Sequence, residues 1–88
     1  MMYLLVNTET NEVRGDYEDT RDMSAARMAA DFLYDCTCDE DIDIYDWELW
    51  SFCPYEQNVY DLKARYDRNA TERMIQWFKK MEAQDGER

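Results

Sequence analysis

Val59-Tyr60-Asp61-Leu62-Lys63-Ala64-Arg65-Tyr66 reads in two ways, and each reading builds a different protein. As a strand it alternates with a period of two, Tyr60, Leu62, Ala64 and Tyr66 facing inward and Asp61, Lys63 and Arg65 facing water. As a helix, Val59, Leu62, Tyr66 and Ala70 fall on one stripe that continues into the C-terminal segment as a single rod of about 25 residues. The strand is the better account. Its aromatic content suits a pleated surface, the turn-like stretch Pro54 to Asn58 precedes it, and a fresh helix start follows at Asn69, where Glu72 completes a capping box. The last helix then runs from Ala70 to Gln84 on a stripe of Ala70, Met74, Trp77, Phe78 and Met81, with Lys79 and Lys80 near its negative end and Gly86 just beyond it.

Upstream, Tyr45 to Cys53 (Tyr-Asp-Trp-Glu-Leu-Trp-Ser-Phe-Cys) is dense in strand formers, and Pro54 ends it because proline cannot continue a paired ladder. Alternation puts Trp47 and Leu49 on one side and Trp50 and Phe52 on the other, so one pair enters the core and the other lies on the opposite face. The run Asp35 to Asp43 is too acidic for a helix C-terminus, where the dipole disfavours negative charge, and is expected as a loop. Before it, Asp19 or Thr20 caps a helix whose apolar positions Met23, Ala26, Ala29, Ala30, Leu33 and Cys36 follow three-and-four spacing. The chain opens with Tyr3 to Asn7 as a strand, a turn over Thr8 to Asn11, and Glu12 to Tyr17 as the returning strand with Val13, Gly15 and Tyr17 on one face. The order ββαββα predicts an α+β two-layer sandwich, an antiparallel sheet with two helices on one face.

The 88 residues fit one domain, 1 to 88. Acids outnumber bases 21 to 10 with no His, a formal charge of −11, yet apolar residues reach 45% and aromatics 15%, which separates the chain from disordered acidic tails. That charge argues against direct binding to nucleic acid or an anionic membrane, both of which rely on clustered Lys and Arg. The charge is also lopsided: residues 1 to 61 hold 16 acids and 3 bases, residues 62 to 88 hold 5 and 7, so a near-neutral C-terminal element is expected to brace an acidic body. An Asp-rich, Lys-poor composition also suits high salt, although the many large aromatics weigh against that explanation. The longest apolar run, Met1 to Val6, is far short of a membrane span and lacks the basic flank of a signal peptide. With three cysteines, an odd number, reduced thiols in a cytoplasmic protein are the expectation.

Enzymatic chemistry finds little support. The chain has no phosphate-cradling glycine loop, no nucleophile elbow and no residue that titrates near neutrality when unperturbed. Asp39, Asp41 and Asp43 have the spacing with which a calcium loop begins, but Ile44 stands where the sharp turn needs Gly and Trp50 where a bidentate Glu is required. Cys36, Cys38 and Cys53 fall short of a zinc site in number and spacing. No cofactor or metal is expected.

The informative constellation is the acidic loop running into the aromatic strand: Asp35, Asp39, Glu40, Asp41, Asp43, Tyr45, Asp46, Glu48, Trp50 and Phe52. Aromatics beside carboxylates suit a protein-binding surface, since Trp and Tyr anchor interfaces and charge complementarity speeds encounter. The electrostatic complement is a Lys/Arg-lined groove that tracks nucleic acid, in which carboxylates stand in for phosphates.

In size, in its −11 charge, in the stretch Asp39-Glu40-Asp41-Ile42-Asp43 and in the opening Tyr3-Leu4-Leu5-Val6-Asn7-Thr8-Glu9-Thr10, the chain resembles small acidic phage proteins that block host defence, the anti-CRISPR and anti-restriction inhibitors, several of them DNA mimics. The resemblance is to a class and carries no residue roles. It implies a non-enzymatic inhibitor that binds a basic nucleic-acid-binding protein such as a CRISPR effector or a restriction nuclease. The alternative is a homodimeric structural or regulatory module whose sheet face around Trp50 is self-complementary and whose acids serve solubility.

Overall fold

Met2–Asn7 (β1) and Val13–Glu18 (β2) form the opening hairpin, and Ala25–Cys36 is the first helix (α1). A single 3-10 turn at Ile44–Asp46 leads into Trp47–Phe52 (β3), followed by the short strand Arg65–Tyr66 (β4) and the second helix Arg68–Gly86 (α2). This computed structural model describes residues 2–53 and 64–86. The sheet is antiparallel throughout, in the order β2-β1-β3-β4, and both helices cover one face of it, the expected two-layer α+β sandwich.

The pairing register assigns every strand side chain to a layer, because residues opposite each other share a face. Leu5 pairs with Leu49, Asn7 with Trp47 and Tyr3 with Ser51, and this set faces the helices. Leu4 with Trp50, Val6 with Glu48 and Met2 with Phe52 face away. The core is Leu5, Trp47, Leu49 and Ile44 beneath Ala26, Ala29, Ala30 and Leu33 of α1 and Ala70, Met74 and Phe78 of α2. The alanines of α1 leave room for α2 to lie close beside it. The helices run in the same direction, with Ala26 and Ala70 lining one recess near their starts and Tyr34 meeting Phe78 edge-on at 5.9 Å further along.

Tyr66 sits in a strand opposite Trp50 and α2 starts two residues later, so a continuous rod through Tyr66 is ruled out. Tyr66 does not face inward as expected; it lies on the face turned away from the two described helices and is 47% exposed. The part of that expected strand from Val59 to Lys63, and the turn at Pro54 to Asn58, lie outside the described residues.

Both helix starts differ from expectation because several capping side chains stand within a few residues of each start and divide the exposed amides among them. Ser24 caps α1, accepting from the Arg27 amide, while Asp19 reaches over to accept from Ala25 N–H at 2.8 Å. Thr20 instead closes a turn with Met23, which leaves Met23 outside the helix. Asp67 replaces Asn69 at the start of α2, its Oδ1 accepting from Ala70 N–H at 3.0 Å. At the other end α2 runs through Gly86, so Lys79 and Lys80 lie well short of its last turn. Asp35 belongs to the last turn of α1 rather than to the loop, and β3 begins at Trp47 because Tyr45 and Asp46 are taken into the 3-10 turn that Asp43 caps.

A bulge reorders β2. Between the pairs Leu4–Asp16 and Val6–Val13, Arg14 and Gly15 stand opposite Leu5 alone, and Gly15 takes a φ of 80°. The extra residue flips the alternation, so Val13 and Tyr17 do not share a face: Val13 pairs with Val6 on the open side, and Tyr17 pairs with Tyr3 and packs under Phe32. Arg14 is thereby turned to the helix side.

Candidate functional site

Two segments distant in sequence meet at one end of the sandwich. The hairpin turn is built on Asn7, whose Oδ1 accepts from the amides of Glu9 and Thr10, and Asn11 closes it with a φ of 61°. The Thr8 amide donates to the Asp46 carbonyl at 2.7 Å and its hydroxyl to the same oxygen at 3.1 Å, which lashes the hairpin to the 3-10 turn. From the other side, the chain leaves α1 through a turn in which the Glu40 amide donates to the Cys36 carbonyl. It is then anchored by half-buried Ile42 and buried Ile44. The Asp39 to Asp46 loop and the Glu9 to Glu12 turn become neighbours.

Arg14 holds the two together. Its Nε donates to Glu12 Oε1 at 3.1 Å, its Nη1 to Glu40 Oε1 at 2.8 Å and to Cys36 Sγ at 3.7 Å, and its guanidinium lies 5.0 Å over the Trp47 ring. The hydrogen bonds to Glu12, then Glu40, push its pKa above the ordinary arginine value. Glu12 and Glu40 flank this internally engaged cation, and the two segments that carry them also bear Glu9, Asp39, Asp41, Asp43 and Asp46; all seven acids are exposed except half-buried Asp46. Tyr45, 60% exposed, stands at the same end with Lys79 Nζ 4.6 Å over its ring. That contact ties α2 to the acidic end through an aromatic ring, whereas the described salt bridge of α2, Arg68 to Glu72, lies within the helix.

The ten residues singled out from sequence therefore divide. Asp39, Glu40, Asp41, Asp43, Tyr45 and Asp46 form the acidic end, with Asp35 exposed on the adjoining last turn of α1. Glu48, Trp50 and Phe52 lie on the sheet face turned away from the two described helices, each half-buried. There Glu48 Oε2 accepts from Trp50 Nε1 at 3.1 Å, and the Trp50 ring leans on Tyr66 with centroids 6.1 Å apart. Glu9, Glu12 and Arg14 were missed. Their types are visible in the sequence, but only the hairpin register and the Thr8–Asp46 contact bring them to the loop.

Between the helix starts is a polar recess of about 220 Å³ lined by Tyr3, Asp19, Ser24, Asp67, Asn69 and Arg73. Its carboxylates already serve as helix caps. Burial, and then the negative charge of Asp19 and Asp67, push the Tyr3 phenol above its ordinary pKa. Among the described residues no three His, Cys, Asp or Glu side chains are grouped to hold a metal ion, and no helix is long and apolar enough to cross a membrane. No family model, curated protein or solved structure matches the chain.

Proposed function

We propose that the protein is a non-enzymatic, stoichiometric inhibitor that sets its acidic end against the Lys/Arg-lined nucleic-acid-binding surface of a defence effector, a CRISPR effector or a restriction nuclease, in the cytoplasm of the host cell. The observation that carries this reading is the union of the Asp39 to Asp46 loop with the Glu9 to Glu12 turn, around an arginine already engaged by Glu12 and Glu40. The carboxylates stand where phosphates would, and the inhibitor excludes nucleic acid by occupying its track. A field of one sign also accelerates encounter with a basic partner and screens away with salt. Tyr45, exposed beside the carboxylates, is suited to stacking on a guanidinium of the partner.

The test is displacement of duplex DNA from a panel of RNA-guided and restriction nucleases, read by gel mobility, with the protein and its D39N/E40Q/D41N/D43N variant. The native protein is expected to release the duplex from one effector near equimolar ratio, and the variant to need on the order of tenfold more. Displacement by neither, or equally by both, would sink the proposal.

The homodimer reading is favoured by one observation, the apolar residues on the sheet face turned away from the two described helices. The charges on that face count against a second copy as its occupant.

A further inference from the structure

We infer that the face of the sheet turned away from the two described helices is a docking face for an amphipathic helix of the partner, one whose apolar stripe is flanked by Lys and Arg. The inference rests on the inhibitor reading for the partner's basic character, and it places a second contact away from the acidic end.

The register lays Val13, Val6, Leu4, Trp50, Phe52 and Tyr66 across all four strands on this side. None of them is buried, and Val13 and Tyr66 are 53% and 47% exposed, whereas Leu5, Trp47 and Leu49 on the other face are closed off by the helices. The three six-residue strands run about 20 Å and, spaced about 4.8 Å apart, span roughly 10 Å, which the two residues of β4 widen to roughly 14 Å at one place. A helix about 10–12 Å across and some 14 residues long matches that area.

Charge selects the occupant. The charged residues of the described strands that share this face are Asp16, Glu18 and Glu48, all acidic. Neither described strand arginine joins them, since the bulge turns Arg14 towards Trp47 and Arg65 pairs with Ser51 on the other side. A second copy would set carboxylates against carboxylates at −11 per chain. Strand addition is poorly served as well, because β2 is bulged and β4 has two residues. A Lys/Arg-flanked apolar helix satisfies both the apolar rows and their acidic rim. The Trp50 ring is ready to receive it, pinned through Nε1 by Glu48 and leaning on Tyr66, so little side-chain freedom is lost on docking.

The experiment titrates isotope-labelled protein with a designed helical peptide of about 14 residues, Leu on one face and Lys on the other, and with its Leu/Glu counterpart. Amide shifts are read by NMR, and V13R serves as the variant because Val13 is exposed enough to be replaced without disturbing the core. The Leu/Lys peptide is expected to bind at micromolar concentration, shifting the amides of Leu4, Val6, Trp50 and Tyr66, with V13R weakening it about tenfold and the Leu/Glu peptide inert. Shifts confined to Asp39 to Asp46, equal binding of both peptides, or self-association that covers Trp50 would overturn the docking face. The duplex-displacement assay separates the two proposals. Displacement that V13R leaves intact removes the docking face and keeps the inhibitor, whereas peptide shifts on the sheet without any displacement keep the face and remove the inhibitor.

Discussion

Replacing Thr71 with Val tests how α2 is tied to the sheet. β4 ends at Tyr66, one residue short of pairing with Leu49, so among the described residues no strand lies beside the outer edge of β3 at Leu49. The cap and first turn of α2 take its place: the Asp67 amide donates to the Leu49 carbonyl at 2.9 Å, and the Leu49 amide donates to Thr71 Oγ1 at 2.9 Å. The hydroxyl passes its own proton to the Asp67 carbonyl at 2.8 Å. Leu49 is 0% and Thr71 4% exposed, so water cannot substitute. Thr71→Val keeps the shape and orphans the Leu49 N–H; Asp67 O retains the residue 71 amide at 3.0 Å. One buried, unsatisfied amide costs about 1–3 kcal/mol. Thr71→Ser keeps the hydroxyl and deletes one methyl, about 0.8 kcal/mol. Urea unfolding should therefore rank wild type above T71S above T71V, with melting temperatures falling about 4–8 °C per kcal/mol, and the Leu49 amide should lose hydrogen-exchange protection in T71V alone. A T71V protein within about 0.5 kcal/mol of wild type, or less destabilised than T71S, would refute the reasoning.

Removing the Arg14 clamp, as in R14A, should destabilise by about 1–3 kcal/mol, the sum of two half-exposed ion pairs and a cation–π contact, and the loss measured in urea should shrink at high salt. G15A should cost about 1–2 kcal/mol in the same assay; the new Cβ meets Tyr17 Oη at an ordinary 3.7 Å, so the penalty is that of a side chain at a φ of 80°. Burial raises the pKa of the Tyr3 and Tyr17 phenols, so the folded state holds these protons more tightly than the unfolded one. Their contribution is complete below about pH 10 and is lost as pH rises through the folded-state values. Unfolding followed from pH 8 upwards should show a shallower alkaline decline for Y17F than for wild type, and identical slopes would refute it.

What could be read along the chain was whatever depends on local periodicity. The stripe Ala26, Ala29, Ala30, Leu33 repeats at helical spacing and is buried; Trp47 and Leu49 alternate with Trp50 and Phe52 and occupy opposite faces. These patterns survive folding because each residue's layer follows from its neighbours' geometry. The acidic loop was legible for a related reason: a run such as Asp39-Glu40-Asp41 has nowhere to go but the surface.

The tertiary structure decided what depends on partners far away in sequence. The start of α1 is a local matter by contrast: Asp19, Thr20 and Ser24 all lie within six residues, and Ser24 takes the cap while Asp19 accepts from the Ala25 amide. The alternation of Val13, Gly15 and Tyr17 was broken by a single extra residue opposite Leu5, a matter of pairing with β1 of which Gly15 in mid-strand is the one local sign. The same bulge put Arg14 where Glu12, Glu40 and Trp47 converge, joining the hairpin turn to the loop and leaving the outer sheet face with acids alone among its described charges. Composition by itself determined that this protein would be acidic and aromatic. Which carboxylates stand together, and which aromatics remain open beside them, was settled by strand register, because a shift of one residue moves every side chain that follows to the opposite face.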